Sequence, residues 1–121
     1  MASDKPQSFR DLIVWQKSMD FAVAVYGLVK GFPREELYAL RSQLTRAASS
    51  VPANIAEGNS RGTTKDYSNF LSIAKGSLSE AETLLLLAIR LAHVGESDAA
   101  RAFSLADEIG RMLTAMRAKL R

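Results

Sequence analysis

The sequence predicts an all-α protein, a single antiparallel up-and-down four-helix bundle, on three observations. Apolar residues recur at intervals of three and four along four long segments, which is the pattern of an amphipathic helix. Helix breakers are few, with seven glycines and three prolines in 121 residues. Short connections between long helices make neighbouring helices antiparallel. We expect the bundle domain to span residues 9–121, after a disordered segment at residues 1–8.

The first helix is predicted from about Asp11 to Lys30. Ser8 and Asp11 can form a weak capping pair at its start, and Gly31 supplies its end. Its apolar residues are spaced as a heptad seam, so we expect this seam to face the core. The seam consists of Leu12, Trp15, Met19, Ala22, Tyr26 and Val29.

The second helix is predicted to open at Pro33, where a missing N–H costs nothing, and to end at Gly58. Pro52 falls inside it, which indicates either one helix bent near Ser49 and Ser50 or two shorter helices that meet there. One bent helix is favoured because the apolar register continues through the proline. The predicted seam is Leu37, Leu40, Leu44, Ala47, Val51 and Ile55.

The third helix follows a loop at residues 58–64 and is predicted to run to about Val94. Thr63, with Asp66 three residues later, is typical of a helix cap. Leu84, Leu86 and Leu87 widen the apolar face, so we expect the second half to be buried on more than one side. The predicted seam is Tyr67, Phe70, Ala74, Leu78, Ala81, Leu85, Ala88 and Leu91.

The fourth helix is predicted after the break at Gly95, with Ser97 as its cap and an end near Leu120. Its seam is Ala99, Phe103, Ala106, Ile109, Leu113, Met116 and Leu120. Its last turns are basic and contain no acid. That basic segment is either a response to the helix dipole or a contact for a polyanion. It consists of Arg111, Arg117, Lys119 and Arg121.

A polar stripe follows the second helix at heptad intervals, beside its apolar seam. It faces either solvent or a second copy of the chain, and small polar residues favour the second alternative because they are weak choices for a free helical surface. Gly76 on the third helix indicates close approach of another backbone. The interface candidates are Gln43, Arg46, Ser50, Asn54, Glu57, Gly76, Ser77 and Glu80.

The sequence offers little for catalysis, metal binding or a cofactor. Cysteine is absent, and the one histidine, His93, lies three residues after Arg90, so no Glu-x-x-His pair exists. We therefore expect no catalytic residue, no metal ligand and no cofactor. Arg46 is expected to form an interhelical ion pair with Glu57 or Glu80.

The net charge of +3 permits nucleic-acid binding without requiring it. The loop at residues 58–64 is either a plain connection or an anion contact that uses Arg61 and Lys65 at a helix start. No segment is long and apolar enough for a membrane span, and the polar N-terminus is not a signal peptide. A cytoplasmic protein without a membrane partner is expected.

The stretch SQLTRAASSVPANIAEGNSRGTTKDYSNFLSIAKGSLSEAETLL, preceded by FRDLIVWQKS and FPREELYALR, carries a family resemblance. It resembles the four helix bundle protein family, also called the intervening-sequence protein family of large-subunit ribosomal RNA. The resemblance implies an antiparallel bundle that assembles as a ring-like homopentamer. The accessory protein of diversity-generating retroelements, a basic ring that binds reverse transcriptase and nucleic acid, is distantly similar. The matching residues are Gln43, Arg46, Ser50, Asn54, Glu57, Gly58, Gly76, Ser77 and Glu80.

Three functions remain open from the sequence. The first is a non-enzymatic homo-oligomeric scaffold, ring-like and pentameric, that binds RNA, DNA or a nucleic-acid enzyme. The second is a structural or protein-binding bundle with no nucleic-acid role. The third is an enzyme or small-molecule binder that uses the polar stripe, and the lack of a nucleophile or base partner disfavours it.

Overall fold

The computed structural model describes residues 8–120, and the regular structure within them is entirely helical. The predicted disordered segment therefore lies outside the described residues, except for Ser8. Four helices form the bundle, and two short 3-10 turns precede the first and the second of them. The helices are α1 at Ile13–Val29, α2 at Leu40–Asn59, α3 at Thr64–Arg90 and α4 at Glu96–Lys119; the turns are Phe9–Asp11 and Arg34–Glu36.

Each helix packs against two neighbours, and α1 and α3 lie diagonally across the bundle. Thus α1 contacts α2 and α4, while α3 contacts the same two helices from the other side. Hydrogen bonds between α2 and α3 join Ser50 to Ser77 and Asn59 to Tyr67, so residue numbers fall along one helix as they rise along the other. These two helices are therefore antiparallel. The predicted all-α four-helix bundle is confirmed.

The core is a single apolar cluster to which all four helices contribute. Its largest fully buried side chains are Phe21, Leu44, Ile55, Leu71, Leu85, Ile109 and Leu113. Most of the predicted seams of α2, α3 and α4 lie in this cluster. None of the helices within residues 8–120 is long and apolar enough to cross a bilayer.

The predicted seam of α1 is correct only in part: Ala22 and Val29 are buried as predicted, but most of the buried row is rotated away from that seam. Val14, Phe21 and Val25 are buried, whereas Met19 is 41% exposed and Tyr26 is 48% exposed. The buried row also contains a polar residue, Ser18, so the row is harder to identify as apolar from the sequence. The Ser18 hydroxyl donates a hydrogen bond to the Val14 carbonyl at 2.7 Å, and this bond lets the serine lie in the core.

The predicted start of α2 at Pro33 is also wrong. Pro33 opens only the short turn Arg34–Glu36, and Ala39 has a non-helical backbone, so α2 begins at Leu40. Phe32 is buried, and the chain turns after it before the next helix can start. As a result, Leu37 leaves the predicted seam and is 38% exposed.

The helix α2 is continuous through Pro52, which is buried, so the prediction of one helix is confirmed. The bend near Ser49 and Ser50 stays a prediction. The helix ends at Asn59. Gly58 therefore lies inside the last turn and does not terminate it.

The start of α3 agrees with the sequence, and its end does not. The Asp66 N–H donates to the Thr63 hydroxyl at 3.1 Å, which confirms the predicted cap. The helix ends at Arg90, because Ala92 takes a left-handed conformation with φ of 61°. The His93 N–H then donates to the Ala88 carbonyl at 2.9 Å, and the two features form a Schellman motif.

Two other predicted caps differ from the structure. The residue that precedes α4 is Gly95, which makes no side-chain cap, so Ser97 lies inside the first turn. Glu96 and Asp98 in that turn complement the helix dipole instead. Ser8 does cap, but through the Arg10 N–H, and the element it caps is the 3-10 turn before α1.

Candidate interaction surfaces

Three of the predicted interface residues meet at the junction of α2 and α3. The hydroxyls of Ser50 and Ser77 lie 2.8 Å apart, and the Asn54 amide donates to the Ser50 hydroxyl and carbonyl, each at 2.8 Å. Because the Ser50 oxygen accepts from Asn54, its own proton is free to be donated to Ser77. We call these residues the Ser50–Asn54–Ser77 cluster. Its hydrogen bonds join α2 to α3 within one chain.

The other predicted interface residues lie outside this cluster, on the surface. Gln43, Arg46 and Glu80 are exposed. The expected ion pair of Arg46 is not formed with any described residue, and Glu57 pairs instead with Arg61, just after the end of α2, at 3.3 Å. Arg46 and Glu57 lie on the same stripe of one helix, eleven residues apart, which is too far for an ion pair. Arg61 lies only four residues after Glu57, a spacing that allows direct contact.

The expected close approach at Gly76 is absent within the chain, and Gly58 shows it instead. Among residues 8–120, no atom outside the local helix backbone lies within 4 Å of a Cβ added to Gly76. A Cβ on Gly58 would lie 2.7 Å from the Phe70 Cβ and 3.1 Å from a Tyr67 ring carbon. Gly58 therefore allows α2 and α3 to converge at their joined ends, and Gly76 faces open space.

The predicted anion contact beside the loop is largely occupied by contacts within the chain. The Arg61 guanidinium bonds to Glu57 and lies 4.9 Å from the centroid of the Phe70 ring. The helix start it borders already has Thr63 as a cap and Asp66 in its first turn. Lys65 remains exposed. Among the described residues, the loop and the first turn of α3 together therefore offer one unpaired cation, Lys65.

The predicted basic segment on α4 is dispersed rather than clustered. Arg111 pairs with Asp107 on the preceding turn. Lys119 is exposed, whereas Arg117 is half-buried and its Nε has no hydrogen-bond partner in the described part of the chain. Arg121 lies outside the described residues.

One acidic residue on α3, which neighbours α4, has a shifted pKa. Burial and the nearby Asp107 carboxylate raise the pKa of Glu82 above its ordinary value.

His93 connects the far end of α3 to the turn before α2. Its Nε2 lies 2.7 Å from a Glu36 carboxylate oxygen, and its ring centroid lies 5.7 Å from that of Phe32. This contact is structural in character, because it ties two connections together at one end of the bundle. Within residues 8–120, no group of three or more metal-ligating side chains comes together.

The sequence prediction missed an apolar groove between α1 and α2. Its α1 wall is the row Trp15, Met19, Val23 and Tyr26, which we call the α1 outer row. Its α2 wall consists of small residues, including Ala53 and Ala56, and the open groove has a volume of about 600 Å³. We call it the α1–α2 groove. The helical spacing of this row can be read from the sequence, but the sequence does not show whether the row faces the core or the surface.

A second exposed apolar surface lies on α3. Leu86 is 53% exposed, Leu87 is 43% exposed and Leu91 is 48% exposed, so the second half of α3 is not buried on several sides within the chain, contrary to the prediction. One row of α3 recurs at intervals of three and four on this outer face, and we call it the α3 outer row. Its members are the exposed residues Ile73, Gly76, Glu80, Leu87 and Leu91, together with Leu84, which is half-buried and also packs against the core.

The comparisons with known proteins agree with this architecture. A family model described as 23S rRNA-intervening sequence protein matches residues 10–115. A solved structure of a protein of unknown function from the S23 ribosomal protein family of Bacteroides thetaiotaomicron VPI-5482 is similar, with a TM-score of 0.78 and 26% sequence identity. The match covers 87% of this chain and 98% of that one. No curated protein matches the chain. The chain belongs to the 23S rRNA-intervening sequence protein family.

Proposed function

We propose that this protein is a non-enzymatic scaffold that assembles with copies of itself into a ring-like homo-oligomer. The observation that carries the proposal is the exposed apolar surface. Ten large apolar side chains among the described residues are at least 38% exposed, and most of them gather on α1 and α3 instead of being scattered. Contiguous apolar patches on a soluble domain mark interaction sites. The family resemblance supports a pentamer as the size of the ring.

The kinds of residue in the α1–α2 groove support a protein partner. Trp15, Met19 and Tyr26 line its α1 wall. Tryptophan, tyrosine and methionine are enriched in the cores of protein interfaces, where they bury much area at a low entropic cost. Among residues 8–120, Lys30 is the one charged residue that lines the groove, and charged residues are depleted in the cores of protein interfaces.

The exposed part of the polar stripe supports a role in subunit register. Gln43, Arg46 and Glu57 lie on the surface of α2 next to α3, and Glu80 lies on α3 itself. Polar contacts at an interface select one register among several similar apolar packings. In this proposal the apolar rows supply most of the association free energy, and the stripe supplies specificity.

The proposal is tested by the mass of the protein in solution. Static light scattering across a range of concentrations should give a multiple of the 13.2 kDa chain mass. A pentamer would give five times that mass. A monomer at every concentration would sink the proposal, because it would leave the two apolar surfaces without an occupant.

Nucleic-acid binding is the second candidate function. The family description refers to 23S rRNA, and Lys65 and Lys119 are exposed cations that form no ion pair among residues 8–120. A ring would repeat these cations around its circumference and raise the local positive potential. We expect weak retention on ribosomal RNA that falls steeply with added salt, since counterions are released on binding.

The RNA candidate is checked by retention on immobilised RNA at two salt concentrations. The double variant Lys65→Ala with Lys119→Ala should reduce the salt dependence, whereas Lys17→Ala, at a lysine paired with Glu108, should not. Absence of retention at low salt would leave the alternative, a structural or protein-binding assembly with no nucleic-acid role.

A further inference from the structure

We propose that the α1–α2 groove of one copy receives the α3 outer row of the next copy. The interface is then heterologous, with a groove on one side and a ridge on the other. This inference rests on the proposed self-assembly and assigns the two surfaces that meet. It also commits the groove to one occupant, a second copy of this chain.

The first argument is a match of helical repeat. Trp15, Met19, Val23 and Tyr26 succeed one another at intervals of four, four and three. The α3 outer row has intervals of three, four, four, three and four. Side chains of two helices interlock as knobs and holes when both rows follow the same repeat of three and four. The two rows therefore have the spacing needed to pack against each other.

The second argument is the position of the two rows in the bundle. The helices α1 and α3 are diagonal and make no contact with each other. A single chain therefore cannot cover the groove on α1 with the ridge on α3. Two copies can, and each copy added leaves one free groove and one free ridge. Such a contact continues until the rotation between copies closes a ring.

The third argument is the size of the residues where the helices would approach. Ala53 and Ala56 form the α2 side of the groove. Gly27, at its edge, and Gly76, in the α3 outer row, have no atom of residues 8–120 within 4 Å of an added Cβ, apart from the local helix backbone. Both glycines cost helix stability that the single chain does not recover. A helix of a neighbouring copy could approach closely at each glycine, because glycine has no side chain, and the contact would offset that cost.

The fourth argument is charge. Of the residues that the structure describes, Lys30 is the one charged residue that lines the groove, and Glu80 is the one charged residue in the α3 outer row. The two surfaces are thus apolar, and each carries a single charge opposite in sign to the other. A groove-to-groove contact would instead bring two lysines together, which disfavours the symmetric alternative.

The experiment uses one variant for each surface. Ala53→Arg places a charged side chain in the groove, and Leu87→Arg places one on the ridge; both positions are exposed, so the fold should survive. Each variant alone should fall to the monomer mass in light scattering. Ile13→Arg is the matched control, since Ile13 is 59% exposed on α1 but lies outside the groove, and it should keep the wild-type mass.

Mixing the two variants gives the decisive measurement. A chain with an intact groove and a chain with an intact ridge form one productive contact and no more. The equimolar mixture should therefore give twice the 13.2 kDa chain mass, and growth should stop there. A groove-to-groove interface predicts a different result, because the Leu87→Arg chains, whose grooves are intact, would pair with one another without the Ala53→Arg chain.

A second readout comes from the single tryptophan, Trp15, which lies in the groove. The Ala53→Arg chain is made with Trp15→Phe as well, so that only the chain with the intact groove fluoresces. Its emission should shift to shorter wavelength on mixing as the ridge excludes water from the indole. If Leu87→Arg fails to fold by circular dichroism, Leu91→Arg at the exposed helix end replaces it.

The outcomes separate this inference from the proposed function. A wild-type monomer would sink the proposed self-assembly, and the inference with it. A wild-type oligomer whose mass is unchanged by Ala53→Arg and Leu87→Arg would overturn the inference alone. Monomeric variants that do not pair on mixing, with no change in Trp15 emission, would also overturn it.

Discussion

The two rows of α1 have similar helical spacing, yet one is buried in the core and the other is exposed. In the inner row, Val14, Phe21 and Val25 are at most 2% exposed. In the outer row, Met19 and Tyr26 are 41% and 48% exposed. The inner row even contains a serine, whereas the outer row includes the one tryptophan. Apolar spacing on this helix therefore marks a surface that needs a partner, without saying whether that partner is the chain itself or another copy.

The two faces of α3 repeat the same contrast. Leu78 and Leu85 face the core and are at most 2% exposed, while Leu87 on the outer row is 43% exposed. A helix with two apolar faces is typically buried on both of them, and the second face can be covered by another chain in an assembly. The chain thus has one buried core and two exposed apolar rows. Substitutions in the core and in the rows should therefore change the free energy of unfolding by different amounts.

The largest expected effect is the contrast between Phe21 and Tyr26. Phe21→Ala should lower the free energy of unfolding by about 3–5 kcal/mol, because it leaves a cavity in the closed core. Tyr26→Ala should change it by about 0.5 kcal/mol or less in the dissociated chain. Urea denaturation of dilute protein, followed by circular dichroism, measures both. Equal losses would contradict the division into inner and outer rows.

The next effect compares Gly58, in packed surroundings, with Gly76, in open space. Gly58→Ala should destabilise the chain by about 1–3 kcal/mol, because its Cβ would clash with the Cβ of Phe70, an atom with little freedom to move. Gly76→Ala should stabilise the dissociated chain by about 0.5–1 kcal/mol, because alanine favours the helix. The midpoints of urea denaturation should shift in opposite directions, and a shift in the same direction would show that one environment is wrongly assigned.

A smaller effect tests whether the Ser50–Asn54–Ser77 cluster is closed within the chain. Ser50→Ala should cost about 1 kcal/mol, because the Asn54 amide and the Ser77 hydroxyl lose their shared partner. The double variant with Ser77→Ala should cost less than the sum of the two single variants, since both break the same contact. Ser72→Ala, at an exposed position of α3, is the control and should be neutral. Additive losses would count against the hydrogen bond between the helices.

The smallest effect concerns Glu82, on the side of α3 that faces α4. Burial, aided by the Asp107 carboxylate, raises the pKa of Glu82 above 4.5, so the folded chain binds this proton more tightly than the unfolded chain. Its contribution to the free energy of unfolding therefore falls as the pH rises from 4.5 through the raised pKa. Glu82→Gln should flatten that fall and slightly stabilise the chain at pH 7. Denaturation from pH 4 to 7 measures this, with Asp20→Asn as the control at an exposed position outside both outer rows.

The candidate site was predictable from the sequence only in part. Ser50, Asn54 and Ser77 were selected as one polar set, and the structure brings them within hydrogen-bonding distance. The expected partner of Glu57 was wrong, because the nearby Arg61 reaches it first. The α1–α2 groove was missed because a groove depends on two helices and on the angle at which they pack. Heptad spacing in one helix contains no information about that angle.

The sequence by itself determined the helical class, the number of helices and the cap at Thr63, because these depend on local spacing and local hydrogen bonds. Only the tertiary structure decided which apolar row of α1 is buried, since both rows have the same period and differ by a rotation of the helix. It also decided that Gly58, and not Gly76, lies where two helices converge. The physical reason is that the neighbours of a helix fix its rotation, and those neighbours are distant in the chain.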